Sequence, residues 1–220
     1  MKGKLAIFFR NGSKPVPRAL RMMKVAEDLG YNSIFCGAIR ENDIESSGIW
    51  EGFKFYRVGS KYPLLNGKGL ITYLKYTFIF NFYLYKFFKK KNPKILVASD
   101  FEVMIPALLY SLLFRVKLIY NIHDNLAQRY NVNKITYFFL NCLEGLAVLM
   151  SNAALVPEEF RKISLPKWCI HKISIVKNIP GKISFSEPKF DGNKIKLFYG
   201  GWLNYNRGIK ELIELANSND

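Results

Sequence analysis

Short apolar runs alternate with segments of helical period along nearly the whole chain, and this restricts the fold more than any other feature. KLAIFF (4–9), YNSIFCGA (31–38), FKFYRVG (53–59), KILVAS (94–99), VKLIYNIH (116–123), AALVP (153–157) and ISIVKN (173–178) read as strands. Leu20, Met23, Ala26 and Leu29 recur at helical spacing over 18–29, and Gly30 ends that helix. Further helices are predicted over 70–90, from Asp100 to about 114, over 133–150 and briefly over 157–164. IRENDIESSGIWEG is polar and reads as a loop. Strands alternating with helices build a parallel sheet with helices on both faces, and nearly unbroken apolar strands suit burial on both sides. The expected class is α/β, a Rossmann-like doubly wound parallel sheet.

Periodicity gives way to Pro, Gly, Ser and charge in KNIPGKISFSEPKFDGNK (177–194). Residues 1–178 are therefore expected to form one Rossmann-like domain and 179–194 a linker. IKLFYG (195–200) and a helix over 208–217 open a second unit at 195–220. One strand and one helix cannot bury a core, so this unit is expected to be truncated.

The net charge of +16 implies an anionic partner: nucleic acid, acidic phospholipid or a phosphorylated substrate. A solvated lysine-rich surface is the plain alternative. Nucleic acid is disfavoured, because the lysines are spread and no recognition motif is present. Cys36, Cys142 and Cys169 lie far apart, with neither a zinc pattern nor a disulfide framework, which fits a reducing compartment. The first apolar run is too short for a signal peptide, and no run of about 18 apolar residues is free of charge.

Sheets of this kind bind ligands at the carboxyl ends of their strands, which singles out loops 10–17, 99–101, 121–125 and 200–207. His123, at the end of LIYNIH, is a candidate catalytic group that could hydrogen-bond a hydroxyl or phosphate of a ligand. Asp124 could orient it or bind an acceptor hydroxyl. A capping Asp beside a satisfied histidine is the structural alternative. Asn11 and Gly12 could let the backbone approach a donor or acceptor, or form a plain loop. Ser99 and Asp100 are candidates for the acceptor, or simply cap the next helix. In FYGGWLNYNRGI (198–209), Gly200 and Gly201 permit close backbone approach, and Arg207 before a helix start suits a phosphate. A tight turn with a solvated arginine is the alternative there.

The segment LITYLKYTFIFNFYLYKFFKKK (70–91) places Lys75, Lys86, Lys89 and Lys90 within a sector of roughly 100°, with aromatic and aliphatic residues around most of the rest. Such a helix can lie in an anionic membrane interface, or pack on the sheet with one solvated stripe.

The ordered series RALRMMKVAEDLGY (18–31), ILVASDFEVMIPALLYS (95–111), LIYNIHD (118–124), SNAALVPEEF (151–160), ISIVKNIP (173–180) and FYGGWLNYNRGIKELIELA (198–216) resembles GT-B glycosyltransferases of the group 1, or family 4, type. Enzymes of bacterial surface polysaccharide assembly are the nearest in pattern. The resemblance implies an N-terminal acceptor domain followed by the first strand and helix of a donor-binding domain. It implies transfer with retention from a nucleotide sugar to a lipid-linked or polysaccharide acceptor, without metal or cofactor, at the inner face of the cytoplasmic membrane. The donor diphosphate would meet Gly200, Gly201 and Arg207. Two departures stand out: Trp202 replaces the usual arginine after the second glycine, and the family's downstream glutamate pair has no counterpart. A non-catalytic acceptor- or membrane-binding subunit, paired with a separate donor-domain polypeptide, is the rival reading.

Overall fold

The computed structural model describes residues 4–62, 70–129, 132–179 and 208–217. The chain divides into two units, Met1–Ile179 and Pro180–Asp220. In the second, the described part is helix α6 (Ile209–Asn217), entered through Gly208. The predicted strand at 195–200, with Gly200, Gly201, Trp202 and Arg207, lies outside the described residues.

The first unit is built on an eight-stranded sheet in the order β3-β4-β2-β1-β5-β6-β7-β8. Its strands are β1 (Lys4–Arg10), β2 (Tyr31–Arg40), β3 (Ser47–Trp50), β4 (Phe53–Tyr62), β5 (Ile95–Ser99), β6 (Lys117–Asn121), β7 (Ala153–Val156) and β8 (Ile173–Ile175). All pairs are parallel except β3 with β4. The α/β, Rossmann-like expectation therefore holds. Strand β3 lies within the polar segment expected to be a loop. It pairs through the two-residue turn Glu51-Gly52, with φ of 48° and 85°. Positive φ at both central residues is the hairpin geometry that matches strand twist, and glycine enters it without steric cost.

Helices α1 (Pro17–Asp28), α2 (Leu70–Lys91), α3 (Met104–Phe114), α4 (Lys134–Met150) and α5 (Glu159–Ile163) fall where helical period predicts them, except that α3 begins four residues after Asp100, behind a 3-10 turn over Phe101–Val103. The two-residue alternation of β1 divides the core. Ile7 and Phe9 join Phe80, Leu84 and Phe88 of α2, Tyr110 of α3 and Val148 of α4. Ala6 and Phe8 face the other way and meet Met23 of α1 and Phe35. Helices thus cover both faces, as expected, but unequally: α2, α3 and α4 pack on one and α1 on the other. Beside α1, a 420 Å³ apolar groove is lined by Val97, Ile119 and Leu155 of the sheet and by Val176 just past β8.

Gly37 of β2 permits a close approach that shapes the ligand edge. A Cβ there would lie 2.1 Å from the carbonyl oxygen of Gly12, so only glycine lets the β1–α1 loop cross the strand end. That carbonyl also accepts a bond from Ala38 N at 3.2 Å, which pins the loop.

Candidate active site at the carboxyl edge of the sheet

From β1 the sheet grows through β2 and β4 on one side and through β5, β6, β7 and β8 on the other. The β1–β5 boundary is thus the switch point, where loops diverge and leave a crevice. Loops 10–17, 99–101 and 121–125 gather there and open two polar cavities. One, of 210 Å³, is lined by Arg10, Asn11, Arg40, Tyr73, Asp100, Glu102, Asp124 and Arg129. The other, of 430 Å³, is lined by Arg18, His123, Asp124, Pro157, Glu158, Arg161 and Asn178. Asp124 belongs to both.

Asp100 has φ 73° and ψ 160°, a region that L side chains adopt only under constraint. It makes no side-chain cap bond, so the capping alternative fails. Its carboxylate accepts from Arg129 Nη2 at 2.5 Å and lies 3.9 Å from Arg10 Nη2. Arg129 Nη1 donates to Glu102 at 2.7 Å. Burial opposes the Arg129 charge, yet Asp100 and then Glu102 outweigh it and raise its pKa. Ser99 is buried, and its hydroxyl accepts from Asn121 Nδ2 at 3.2 Å. It lines neither cavity. Asn11 does line the smaller one, with its amide 3.3 Å from Thr77 Oγ1 and its carbonyl accepting from Arg40 at 2.7 Å.

The ring of His123 is held by Asn121, whose Nδ2 lies 3.0 Å from Nε2. Of the two roles open to Asp124, orienting the ring is not the one the geometry gives it. Its carboxylate instead accepts from Arg161 Nη1 at 2.7 Å. Extended backbone gives the reason: residues 121 and 123 share a side, while 124 faces away. Burial lowers the His123 pKa; Asp100 opposes this, and Arg10 and Arg18 add to it. Burial thus favours the neutral, hydrogen-bonding form of His123.

The sequence reading passed over Arg10, Arg18, Arg40, Glu102, Asn121, Arg129 and Arg161. A signal was present: five of the nine arginines line these two cavities and, among the described residues, no lysine does. Planar guanidinium groups suit paired oxygens, whereas lysines suit a solvated surface.

Beneath the 121–129 loop, Glu144 is fully buried. Its carboxylate accepts from Tyr120 Oη at 2.9 Å and from Leu126 N at 2.7 Å. Burial pushes its pKa up to about 7, against the lowering effect of those two bonds. Because the unfolded chain releases this proton near 4.5, stability is full below that pH and falls as pH rises through 7. The loss amounts to about 3 kcal/mol. Glu144→Gln retains an acceptor for Leu126 and should abolish that decline. Urea midpoints at pH 5 and pH 8 check it; an equal decline in the variant would reject Glu144 as the source.

No protein-family model and no curated protein matches the sequence. Solved structures match the fold. Sucrose-phosphate synthase from Thermosynechococcus elongatus superposes with a TM-score of 0.60 at 8% identity, over 79% of this chain and 48% of that one. The glycotransferase of kitacinnamycin gives 0.53 at 7% identity, over 85% and 55%. The lipopolysaccharide outer core galactosyltransferase WaaB gives 0.50 at 11% identity, over 87% and 50%. The fold is that of the GT-B glycosyltransferases, Rossmann-like and mostly parallel. The chain spans about half the length of these neighbours.

Proposed function

We propose that this chain is the acceptor-side part of a glycosyltransferase, moving sugar from a nucleotide-sugar donor to a lipid-linked or polysaccharide acceptor. The polar crevice at the β1–β5 switch point, carried on a GT-B fold, supports this most strongly. Breaking the anomeric C–O bond develops positive charge on the sugar and negative charge on the departing diphosphate. Neutral His123 is suited to hydrogen-bond the sugar as that happens. The Asn11–Gly12 backbone is suited to meet donor or acceptor. Gly200, Gly201 and Arg207, by resemblance, would face the diphosphate. A donor-binding half completes the enzyme, in the same polypeptide or in a separate one. Transfer is retaining and metal-independent in this reading, of the group 1 or family 4 type, and serves surface polysaccharide or capsule assembly. Two of the fold neighbours are a glycotransferase and a galactosyltransferase of the lipopolysaccharide outer core.

The acceptor reading extends to the membrane. Lys75, Lys86, Lys89 and Lys90 are exposed on α2, but the same outward sector carries Ile71, Leu74, Phe78 and Phe82. Helix α3 turns out Ile105, Leu109 and Leu112, and α4 turns out Ile135, Phe138 and Phe139. Helix α2 packs on α3, and α3 on α4. Adjoining apolar stripes with lysines beside them suit the inner face of an anionic membrane from the cytoplasmic side. No helix among the described residues is long and apolar enough to cross one. Tyr73, Asn81 and Thr77 of α2 bond to Glu102 and Asn11, so this helix joins the membrane face to the crevice. The same apolar face favours the second reading, a non-catalytic membrane- or acceptor-binding subunit.

One experiment separates the two. The chain, completed with a donor-binding half, is mixed with labelled nucleotide sugars and vesicles of anionic or neutral lipid that carry a lipid-linked acceptor. Salt-sensitive sedimentation with anionic vesicles is expected, since screening weakens exposed charge. Label should enter the lipid. Sedimentation without transfer from any nucleotide sugar would favour the non-catalytic subunit. Equal, salt-insensitive sedimentation with both lipids would reject the membrane face.

A further inference from the structure

We infer that the 430 Å³ cavity beside the N-terminus of α1 binds a phosphate group, with Arg18 as its buried guanidinium partner. Arg18 is 5% exposed and lines this cavity. Its Nε and Nη2 are buried without a hydrogen-bond partner among the described residues. Those two N–H groups lie along one edge of the guanidinium plane, the edge that takes two oxygens of one oxyanion. A charge at this depth is normally paired, because burial strips its water.

The other charged groups around the cavity already have partners. Arg161 bonds to Asp124 at 2.7 Å and to Glu158 at 2.9 Å, which uses both carboxylates that line it. Arg21 donates to Asn178. Asp100, which favours the Arg18 charge from a distance, is paired with Arg129. Burial, then Arg21, then Arg161 lower the Arg18 pKa, the effect of cations that lack an anion between them.

The helix terminus adds to this. Arg18 stands in the first turn of the twelve-residue α1, whose N-cap residue Val16 provides no side-chain acceptor. The leading N–H groups of a helix have no partner within it, and with the helix dipole they favour an anion. A phosphate carries more charge than a carboxylate and has oxygens enough for both the guanidinium and the helix end. The volume leaves room for the molecule that carries it. Donor diphosphate and acceptor phosphate share this chemistry.

The inference rests on the transferase reading only for the molecule that bears the phosphate. Binding is measured without turnover, so either can fail while the other stands. Equilibrium dialysis of inorganic phosphate against the full chain, at constant ionic strength in chloride, is the first measurement. Saturable binding is expected, with acetate a poor competitor. Arg18→Gln should weaken it on the order of 10- to 100-fold. Without phosphate, the variant's thermal midpoint should equal or exceed that of the wild type, since a buried unpaired charge is gone. Displacement by uridine diphosphate would assign the site to the donor, and displacement by a short polyprenyl phosphate to the acceptor; either supports the site. No saturable binding by the wild type, equal binding of acetate, or unchanged binding by Arg18→Gln would overturn it. If Arg18→Gln does not fold, Arg18→Lys decides. It keeps the charge but not the fork, and must bind phosphate more weakly for the inference to stand.

Discussion

Asp100→Ala is expected to lower the stability of the first unit by about 3–5 kcal/mol, the usual consequence of removing one partner from a buried ion pair. The Asp100 side chain is 11% exposed, and those of Arg129 and Glu102 are 20% and 15% exposed. Little solvent is available to screen the charge left behind. Arg129 keeps Glu102 after the change, but Arg10 loses its nearest carboxylate. Backbone geometry adds a second, opposite expectation for Asp100→Gly. At φ 73° and ψ 160° an alanine retains the strain of the native residue, whereas glycine is at ease. Relief of about 1–3 kcal/mol exceeds the extra chain entropy of glycine, about 0.5–1 kcal/mol. The glycine variant should therefore be the more stable of the two, a reversal of the usual order within regular structure. Urea unfolding of both at pH 7 decides the point. An alanine variant as stable as the glycine variant would mean that the unusual backbone stores no strain.

Strained backbone at the head of an ion-pair network is what a crevice needs if its groups are to stay in place while ligands come and go. The network was not legible in the sequence, for a physical reason. Asp100 and Arg129 are 29 residues apart, and only the crossover from β5 to β6 brings them together. Strand and helix period, by contrast, are local signals, so β1, β2, α1, α2, α4 and α5 could be read within a residue or two, whereas α3 starts four residues after Asp100, behind a 3-10 turn over Phe101–Val103. Strand β3 escaped because its four residues are an edge segment beside a polar loop. Its turn is Glu-Gly rather than the more telling Asn-Gly. His123 and Asp124 were visible as residues at a strand end. That Asn121, not Asp124, holds the imidazole follows from the alternation of side chains past the end of β6. The unequal cover of the two faces was hidden too, because an apolar strand reads the same under a helix as beside an open groove.

His123→Ala is expected to slow sugar transfer by about 100- to 1000-fold in the enzyme completed with its donor-binding half, with the fold unchanged. The ring is half-buried at the cavity wall and outside both hydrophobic clusters, so its loss should affect stability little. Asn121 keeps Ser99 as a partner when the imidazole is gone. The deficit should fall on turnover more than on substrate binding. A hydrogen bond that strengthens as charge develops on the sugar contributes to the transition state and little to the ground state. The neutral ring is the working form. Burial and the charges of Arg10 and Arg18 keep it so against the pull of Asp100, and turnover should hold level from neutral pH upward. Acidification should lower it, because protonation of His123 would place another cation among those arginines. His123→Gln, which keeps a polar group there, should recover part of the rate. Turnover per folded molecule, measured beside the thermal midpoint, tests the assignment. A variant that melts early but transfers sugar at the wild-type rate per folded molecule would make His123 a structural residue and move the chemistry elsewhere in the crevice.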